Sequence, residues 1–217
     1  MIDPAVVAHN VVAIRDRIVA AGGTHVTLIA VTKTFGVDAV RAVVDAGCSA
    51  IGENYAQELI GKVAEWPEGM TRPDVHFIGR LQSNKIRMLA PWVNVWQTVD
   101  RPNIVDELAR RVPGARTFVQ VNVDDDPAKG GCSPDDAPGL VGRAVDLGLT
   151  VEGLMTIGRQ GSIDEVSVGF RRLRALSDGL GLAGCSMGMS GDLEPAVAAG
   201  ATHVRVGSAL FGPRIVR

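Results

Sequence analysis

Short apolar runs alternate with longer amphipathic segments along most of the chain, after a first helix that is predicted from its N-terminal signal. In that signal Asp3 can accept hydrogen bonds as an N-cap, and Pro4 suits the first helical position. The predicted strands are residues 26–33, 49–54, 75–81, 93–100, 117–124, 151–158, 184–190 and 202–212. The predicted helices between them include residues 37–47, 104–112, 134–148 and 164–181. Such alternation of strand and helix predicts an α/β fold.

Several of these strands are nearly continuous apolar runs, which is typical of a parallel sheet with both faces covered by helices. Parallel strands joined through helices pair by right-handed crossovers. Eight strands are the number that closes a (β/α)8 TIM barrel, so we predict that barrel with an extra N-terminal helix. An open doubly wound sheet is the alternative that periodicity leaves open. No linker interrupts the pattern, which predicts one domain over residues 1–217.

Composition and charge narrow the function classes. A content of 46% hydrophobic and 21% charged residues is ordinary for a globular protein. The net charge is -2 and the basic residues are scattered, which disfavours nucleic acid as a partner. The N-terminus has neither the basic start and apolar run of a signal peptide nor a membrane span. Cys48, Cys132 and Cys185 are too few and too far apart for a disulfide framework or a zinc site, so reduced thiols in the cytoplasm are expected.

Polar residues at the ends of the predicted strands mark the candidate site, because TIM barrels place their active sites at the C-terminal ends of their strands. These strand-end residues are Lys33, Glu53, Asn54, Gln82, Asn122, Met155, Ser186, Arg205, Gly207 and Ser208. If the chain forms a barrel, we expect them to converge on one mouth.

Lys33 follows the apolar run of the first predicted strand. Desolvation at such a position is expected to lower the pKa of a lysine, and the neutral amine is the form that attacks a carbonyl as a Schiff-base nucleophile. The alternative is a lysine that simply emerges into solvent at a strand end.

Two segments near the C-terminus predict a phosphate site. Ser190 and Gly191 are placed in the first turn of a helix after the seventh predicted strand, and Gly207 and Ser208 follow the apolar part of the last one. Free N–H groups at a helix start bind phosphate, and the loops after strands 7 and 8 of TIM barrels often do so. Each feature taken alone could also be an ordinary cap or turn. The nearby acidic residues, Asp192 and Glu194, must point away for the site to hold an anion.

Arg205 shares a face of the last strand with Gly207. A buried arginine needs polar partners. It could pair with a neighbouring carboxylate or donate to a ring nitrogen of a cofactor.

Several long motifs resemble those of one family, the YggS/PROSC family of pyridoxal 5′-phosphate (PLP) homeostasis proteins. They are LIAVTKTFG, GENYAQELIGK, HFIGRLQSNK, VQVNVDDDPAKGGC, GLMTIG and SMGMSGDLEPAVAAGATHVRVGSALFGPR, and they occur in the family's order over nearly the whole chain. Departures are modest: Arg80 stands where Pro or His is commoner, and GGC follows Lys129 in place of the usual residues.

The resemblance implies the barrel fold of the N-terminal domain of alanine racemase, with PLP held as a Schiff base on Lys33. It implies phosphate binding by Ser190, Gly207 and Ser208, and it places Arg205 opposite the pyridine nitrogen. An arginine there would disfavour ring protonation and weaken carbanion chemistry. The pocket would also include Asn54, Met155, Ser186 and Met187, with Lys129 as a second lysine near the cofactor.

The function that the resemblance implies is PLP binding in intracellular vitamin B6 homeostasis, without enzymatic turnover. The expected partners are PLP and apo forms of PLP-dependent enzymes, and a cytoplasmic monomer that contacts neither nucleic acid nor membrane is expected. The alternative is a PLP enzyme such as an amino-acid racemase, which would require a second base; the single tyrosine is Tyr55, and no length is left for a racemase β-domain. A third class is a phosphate-binding barrel enzyme that never forms a Schiff base.

Overall fold

Eight parallel strands form a closed barrel in a computed structural model of the chain, which describes residues 2–159 and 161–212. The strands are β1 Thr27–Val31, β2 Ala50–Glu53, β3 Asp74–Phe77, β4 Val95–Val99, β5 Arg116–Gln120, β6 Thr150–Met155, β7 Gly184–Ser186 and β8 His203–Val206. The helices are α1 Pro4–Ala20, α2 Val37–Asp45, α3 Ala56–Ala64, α4 Ser83–Leu89, α5 Pro102–Arg111, α6 Ala137–Asp146, α7 Ile163–Gly179, α8 Leu193–Ala198 and α9 Ser208–Phe211. Each strand pairs with the next along the chain, and β1 pairs with β8. The predicted (β/α)8 barrel is therefore confirmed, and the open sheet is wrong.

The extra N-terminal helix α1 begins where the sequence predicts it. The Asp3 carboxylate accepts hydrogen bonds from the backbone N–H groups of Ala5 (2.9 Å) and Val6 (3.5 Å), so it satisfies two of the free donors at the helix start. The buried side chains of this helix are Val7, Val11, Ile14 and Ile18, which recur at helical spacing. This apolar face packs α1 against α2, α8 and α9.

The two C-terminal strands are shorter than the sequence predicts. β7 ends at Ser186, and the turn that follows contains Gly188 with φ +92°. β8 ends at Val206, and residues 208–211 form the short helix α9 instead of continuing the strand. The prediction that Ser190 and Gly191 lie in the first turn of a helix is wrong, because α8 begins at Leu193.

The interior of the barrel is partly polar. The rings of His76 on β3 and Phe118 on β5 both lie near the ring of His203 on β8, at centroid distances of 5.9 Å and 5.1 Å. Because these strands are not neighbours, the contacts cross the inside of the barrel. The larger apolar core lies between the strands and the surrounding helices. Within the described residues, no helix is long and apolar enough to cross a membrane.

Candidate functional site

A cavity of about 310 Å³ opens at the C-terminal mouth of the barrel. Seven of the predicted site residues line it together: Lys33, Asn54, Met155, Ser190, Arg205, Gly207 and Ser208. The size is at the lower end of the range for small-molecule and cofactor sites. Six of the seven, all except Ser190, are strand-end residues that the sequence predicts to converge. The other strand-end residues, Glu53, Gln82, Asn122 and Ser186, do not line this cavity.

Lys33 lies in a turn rather than at the end of β1. The strand ends at Val31, and the Thr32 carbonyl accepts a hydrogen bond from the Phe35 N–H at 3.1 Å, which closes a β-turn over Lys33 and Thr34. Thr34 has φ 70°, as the third residue of a type II turn requires. The half-buried Lys33 is thereby placed among the residues that line the cavity.

The loops after β7 and β8 meet at the same mouth, beside the end of β1, because β8 pairs with β1 in the closed barrel. The Ser208 hydroxyl donates to the Ser190 hydroxyl at 3.1 Å, and Ser190 Oγ also accepts from the Ala209 N–H at 3.3 Å. The backbone N–H groups of Ser190, Gly191 and Ser208 have no acceptor among the described residues. A Cβ atom on Gly191 would meet nothing within 4 Å. Hydroxyls and N–H donors around open space are suited to an anion.

The two acidic residues near this loop point away from the cavity. Asp192 accepts a hydrogen bond from the Met189 N–H, and Glu194 forms an ion pair with Arg17 at 2.7 Å. Neither side chain is among the residues that line the cavity. Asp192 and Glu194 therefore point away from the proposed anion site, as the sequence analysis requires.

Arg205 brings a buried positive charge to the cavity. Its guanidinium donates to the Ser186 hydroxyl and to the Thr156 carbonyl, both at 2.7 Å. Within the described residues it makes no ion pair with a carboxylate, so the alternative that its sequence position left open is not observed. Burial lowers the pKa of Arg205 to about 10, a shift that the charge of Asp192 partly opposes. The group is still charged at neutral pH.

A chain of polar groups continues from Arg205 into the barrel. Ser186 donates to the Gln97 Oε1 atom at 2.6 Å, and Gln97 Nε2 lies 2.8 Å from His76 Nδ1. Burial lowers the pKa of His76 to about 3, and it also lowers that of His203 to about 4. Both imidazoles are therefore neutral at pH 7, so His76 Nδ1 accepts from the amide.

Three residues of the PLP pocket that the resemblance implies do not line the cavity. Ser186 is buried behind Arg205, and Met187 is buried in the core between strands and helices. Lys129 forms ion pairs with Asp124 (3.2 Å) and Asp126 (3.8 Å) and lines a separate cavity of about 500 Å³.

Gly191, which the sequence predicts for the phosphate site, also lines the first cavity. The sequence pattern does not identify four further lining residues, which are Val31, Ile78, Ile157 and Met189. Ile78 lies directly after β3, but the predicted strand runs over residues 75–81, so the sequence gives no strand-end signal at this position.

Comparison with known proteins shows the family to which the chain belongs. The model of the alanine racemase N-terminal domain family matches residues 2–214. A pyridoxal phosphate homeostasis protein of Pseudomonas aeruginosa is 41% identical over an alignment that covers 93% of this chain and 91% of that protein. The protein of that name from Escherichia coli K12 is 35% identical, with 96% and 97% covered. The chain belongs to the pyridoxal phosphate homeostasis protein family.

Solved structures agree with this membership. PipY of Synechococcus elongatus PCC7942, solved with PLP bound, has a TM-score of 0.85 and 31% identity, and the match covers 95% of this chain and 100% of that chain. Alanine racemase of Corynebacterium glutamicum has a TM-score of 0.78 at 17% identity and is matched over 63% of its length. That second likeness shows the barrel fold alone. The resemblance inferred from the motifs is confirmed.

Proposed function

We propose that this chain binds PLP in the cavity at the barrel mouth, with the aldehyde on Lys33 and the phosphate on the loops after β7 and β8, and that it acts in PLP homeostasis without turnover. The observation that carries the proposal is that a lysine and a group of anion-binding donors face one cavity in a family whose members are named for PLP. The proposal includes a single-domain monomer that acts in the cytoplasm and passes PLP to apo-enzymes.

The residues at the cavity fit such a ligand. The Oδ1 atom of Asn54 is buried without a hydrogen-bond partner among the described residues, and Arg205 presents a buried cation that forms no ion pair with a described carboxylate. Gly191 leaves open space beside the hydroxyls of Ser190 and Ser208. Unsatisfied polar atoms and an unpaired buried charge are costly in a protein that binds nothing, which favours a polar anionic ligand here.

Lys33 supplies the covalent attachment in this proposal. The neutral Nζ amine attacks the aldehyde that PLP provides, a carbon–nitrogen double bond forms, and one water molecule leaves. Ser190, Ser208 and the nearby N–H groups hold the phosphate and so keep the aldehyde within reach of Nζ. Arg205 stays charged at neutral pH and is held in place by its hydrogen bond to Ser186. Its positive charge near the ring disfavours a second positive charge on the ring.

The lining of the cavity favours storage over catalysis. Among the described residues that line it, Lys33 and Arg205 are the ionisable ones, and Arg205 is held by Ser186 and Thr156, which leaves Lys33 as the single candidate for an acid or base in that lining. A racemase needs a second acid or base on the other face of its substrate. Tyr55 is 54% exposed and does not line the cavity.

Borohydride trapping tests the proposal directly. Purified protein mixed with PLP is expected to gain an imine absorbance band, and reduction is expected to fix one PLP per chain on the peptide that contains Lys33, as read by mass spectrometry. Lys33→Ala is expected to lose both signals, whereas Lys129→Ala is expected to keep them because Lys129 lies at a different cavity. A wild type that gains no band with excess PLP would refute the proposal.

Solvent deuterium separates a storage protein from a racemase. The PLP-loaded protein is expected to leave the α-hydrogen of added L-amino acids unexchanged in D2O, as followed by proton NMR, because the charge of Arg205 disfavours the protonated ring that would stabilise an α-carbanion. Exchange faster than that of free PLP at the same concentration would instead support the racemase alternative.

Removal of the buried guanidinium of Arg205 is expected to stabilise the ligand-free protein and to weaken PLP binding. Arg205→Met takes away a guanidinium that is buried without a carboxylate, so the ligand-free protein should gain about 1 kcal/mol in free energy of unfolding. The same variant should bind PLP at least about tenfold more weakly, because a charge near the ligand is lost. Urea unfolding and PLP titration measure the two effects; a variant that binds as tightly as the wild type would remove Arg205 from the site.

A further inference from the structure

The turn that carries Lys33 has a conformation that its own residues do not favour. Thr34 has φ 70°, in the left-handed region where a type II turn normally has glycine. Thr34 is β-branched, and such residues are genuine outliers in that region. The turn must therefore be held by contacts from elsewhere in the protein.

Three charged residues beside the turn make those contacts; we name them the clasp, defined as Glu53, Glu58 and Lys62. Glu58 Oε1 accepts a hydrogen bond from the Thr34 N–H at 2.5 Å. Lys62 Nζ donates to the Thr32 carbonyl at 2.7 Å. The clasp thus binds the backbone on both sides of Lys33.

The clasp is internally connected and largely buried. Lys62 Nζ lies 2.6 Å from carboxylate oxygens of both Glu53 and Glu58, and the Thr32 hydroxyl donates to Glu53 at 2.5 Å. The side chain of Lys62 is 5% exposed and that of Glu53 is fully buried. Hydrogen bonds to charged groups in such surroundings are stronger than neutral ones, and they restrict geometry.

We propose that Glu58 and Lys62 are positioning residues. They hold the turn over residues 32–35 with Thr34 in its left-handed conformation, and so they direct Lys33 at the cavity. This inference rests on the proposed function for its link to PLP, but the contacts themselves belong to the ligand-free protein. Glu58 and Lys62 lie in the part of the GENYAQELIGK motif that forms α3, and no residue of that part lines the cavity.

Glu58 gives the sharper test, because its side chain is 25% exposed and can be shortened without opening the core. In Glu58→Ala the rate of PLP release, followed by loss of the imine band after capture by an excess of an apo-enzyme, is expected to rise at least tenfold. Glu58→Gln keeps an oxygen acceptor for the Thr34 N–H and is expected to stay within about threefold of the wild type. A matched control is Glu107→Ala, which removes another ion-paired glutamate, on α5, and should leave release unchanged.

A second substitution separates positioning from general damage. Thr34→Gly makes the left-handed conformation favourable without help, so Glu58→Ala in that background is expected to lose most of its effect on release. An undiminished effect in the Thr34→Gly background, no rescue by glutamine, or release from Glu58→Ala at the wild-type rate would each overturn the inference.

Hydrogen exchange keeps this test independent of the proposed function. In the protein without PLP, the peptide spanning residues 32–36 is expected to exchange faster in Glu58→Ala than in the wild type and Glu107→Ala, because the Thr34 N–H loses its acceptor. If the wild type fails to bind PLP while this difference is present, the proposed function fails and the clasp stands. If the wild type binds PLP and the exchange is unchanged, the clasp fails alone.

Discussion

Acidification from pH 7 to pH 4 is expected to reduce the free energy of unfolding by several kcal/mol, on the order of 5, through two histidines inside the barrel. Burial is the main cause that lowers the pKa of His76 to about 3 and that of His203 to about 4, from an ordinary value of 6.5. Below pH 6.5 the unfolded chain binds protons at both residues while the folded barrel does not. Their contribution is therefore fully present above pH 6.5, and it is lost as the pH falls toward the folded values, by at most about 1.4 kcal/mol per histidine and pH unit.

Urea unfolding at pH 7, 6, 5 and 4 measures this loss. His76→Gln and His203→Gln should each flatten the dependence between pH 6.5 and 4, and the double variant should flatten it further. His9→Gln is the matched control, because His9 is exposed on α1. An unaltered slope in the double variant would mean that the histidines are not held neutral in the fold.

The barrel and the place of the site could be predicted because both follow from periodic features. Eight apolar runs at near-even spacing predict the eight parallel strands, whose number favours a closed barrel, and the C-terminal ends of these strands all meet at one mouth. The sequence therefore predicts Lys33, Asn54 and Arg205 at the site from their positions after or within apolar runs, and all three line the cavity.

The details that the sequence missed depend on contacts between distant segments. Ser186 and Met187 are neighbours, and consecutive side chains at a strand end point to opposite faces, so they do not share a cavity. Ser186 faces the barrel interior and holds Arg205, while Met187 packs in the outer core. Likewise, β8 ends at Val206 and Gly207 is the N-cap of α9, but an apolar run written SALF does not distinguish a helix from a continued strand.

The largest effect of a single methyl group is expected at Gly79, in the HFIGRLQSNK motif. A Cβ atom there would lie 1.9 Å from the backbone oxygen of Asn54, and backbone atoms cannot turn aside as a flexible side chain can. Gly79→Ala must therefore push apart the ends of β2 and β3, which we expect to cost about 3 kcal/mol or more in free energy of unfolding.

The same shift should weaken PLP binding, because Asn54 lines the cavity on one side of this contact. The control is Gly61→Ala on α3, where an added Cβ meets nothing within 4 Å. Alanine is favoured over glycine inside a helix, so the free energy of unfolding should rise slightly. Urea unfolding and PLP titration of both variants measure the outcome. If Gly79→Ala unfolds and binds like the wild type, the close approach of these two backbone segments is not a feature of the native protein, and the placement of Asn54 at the cavity must rest on other contacts.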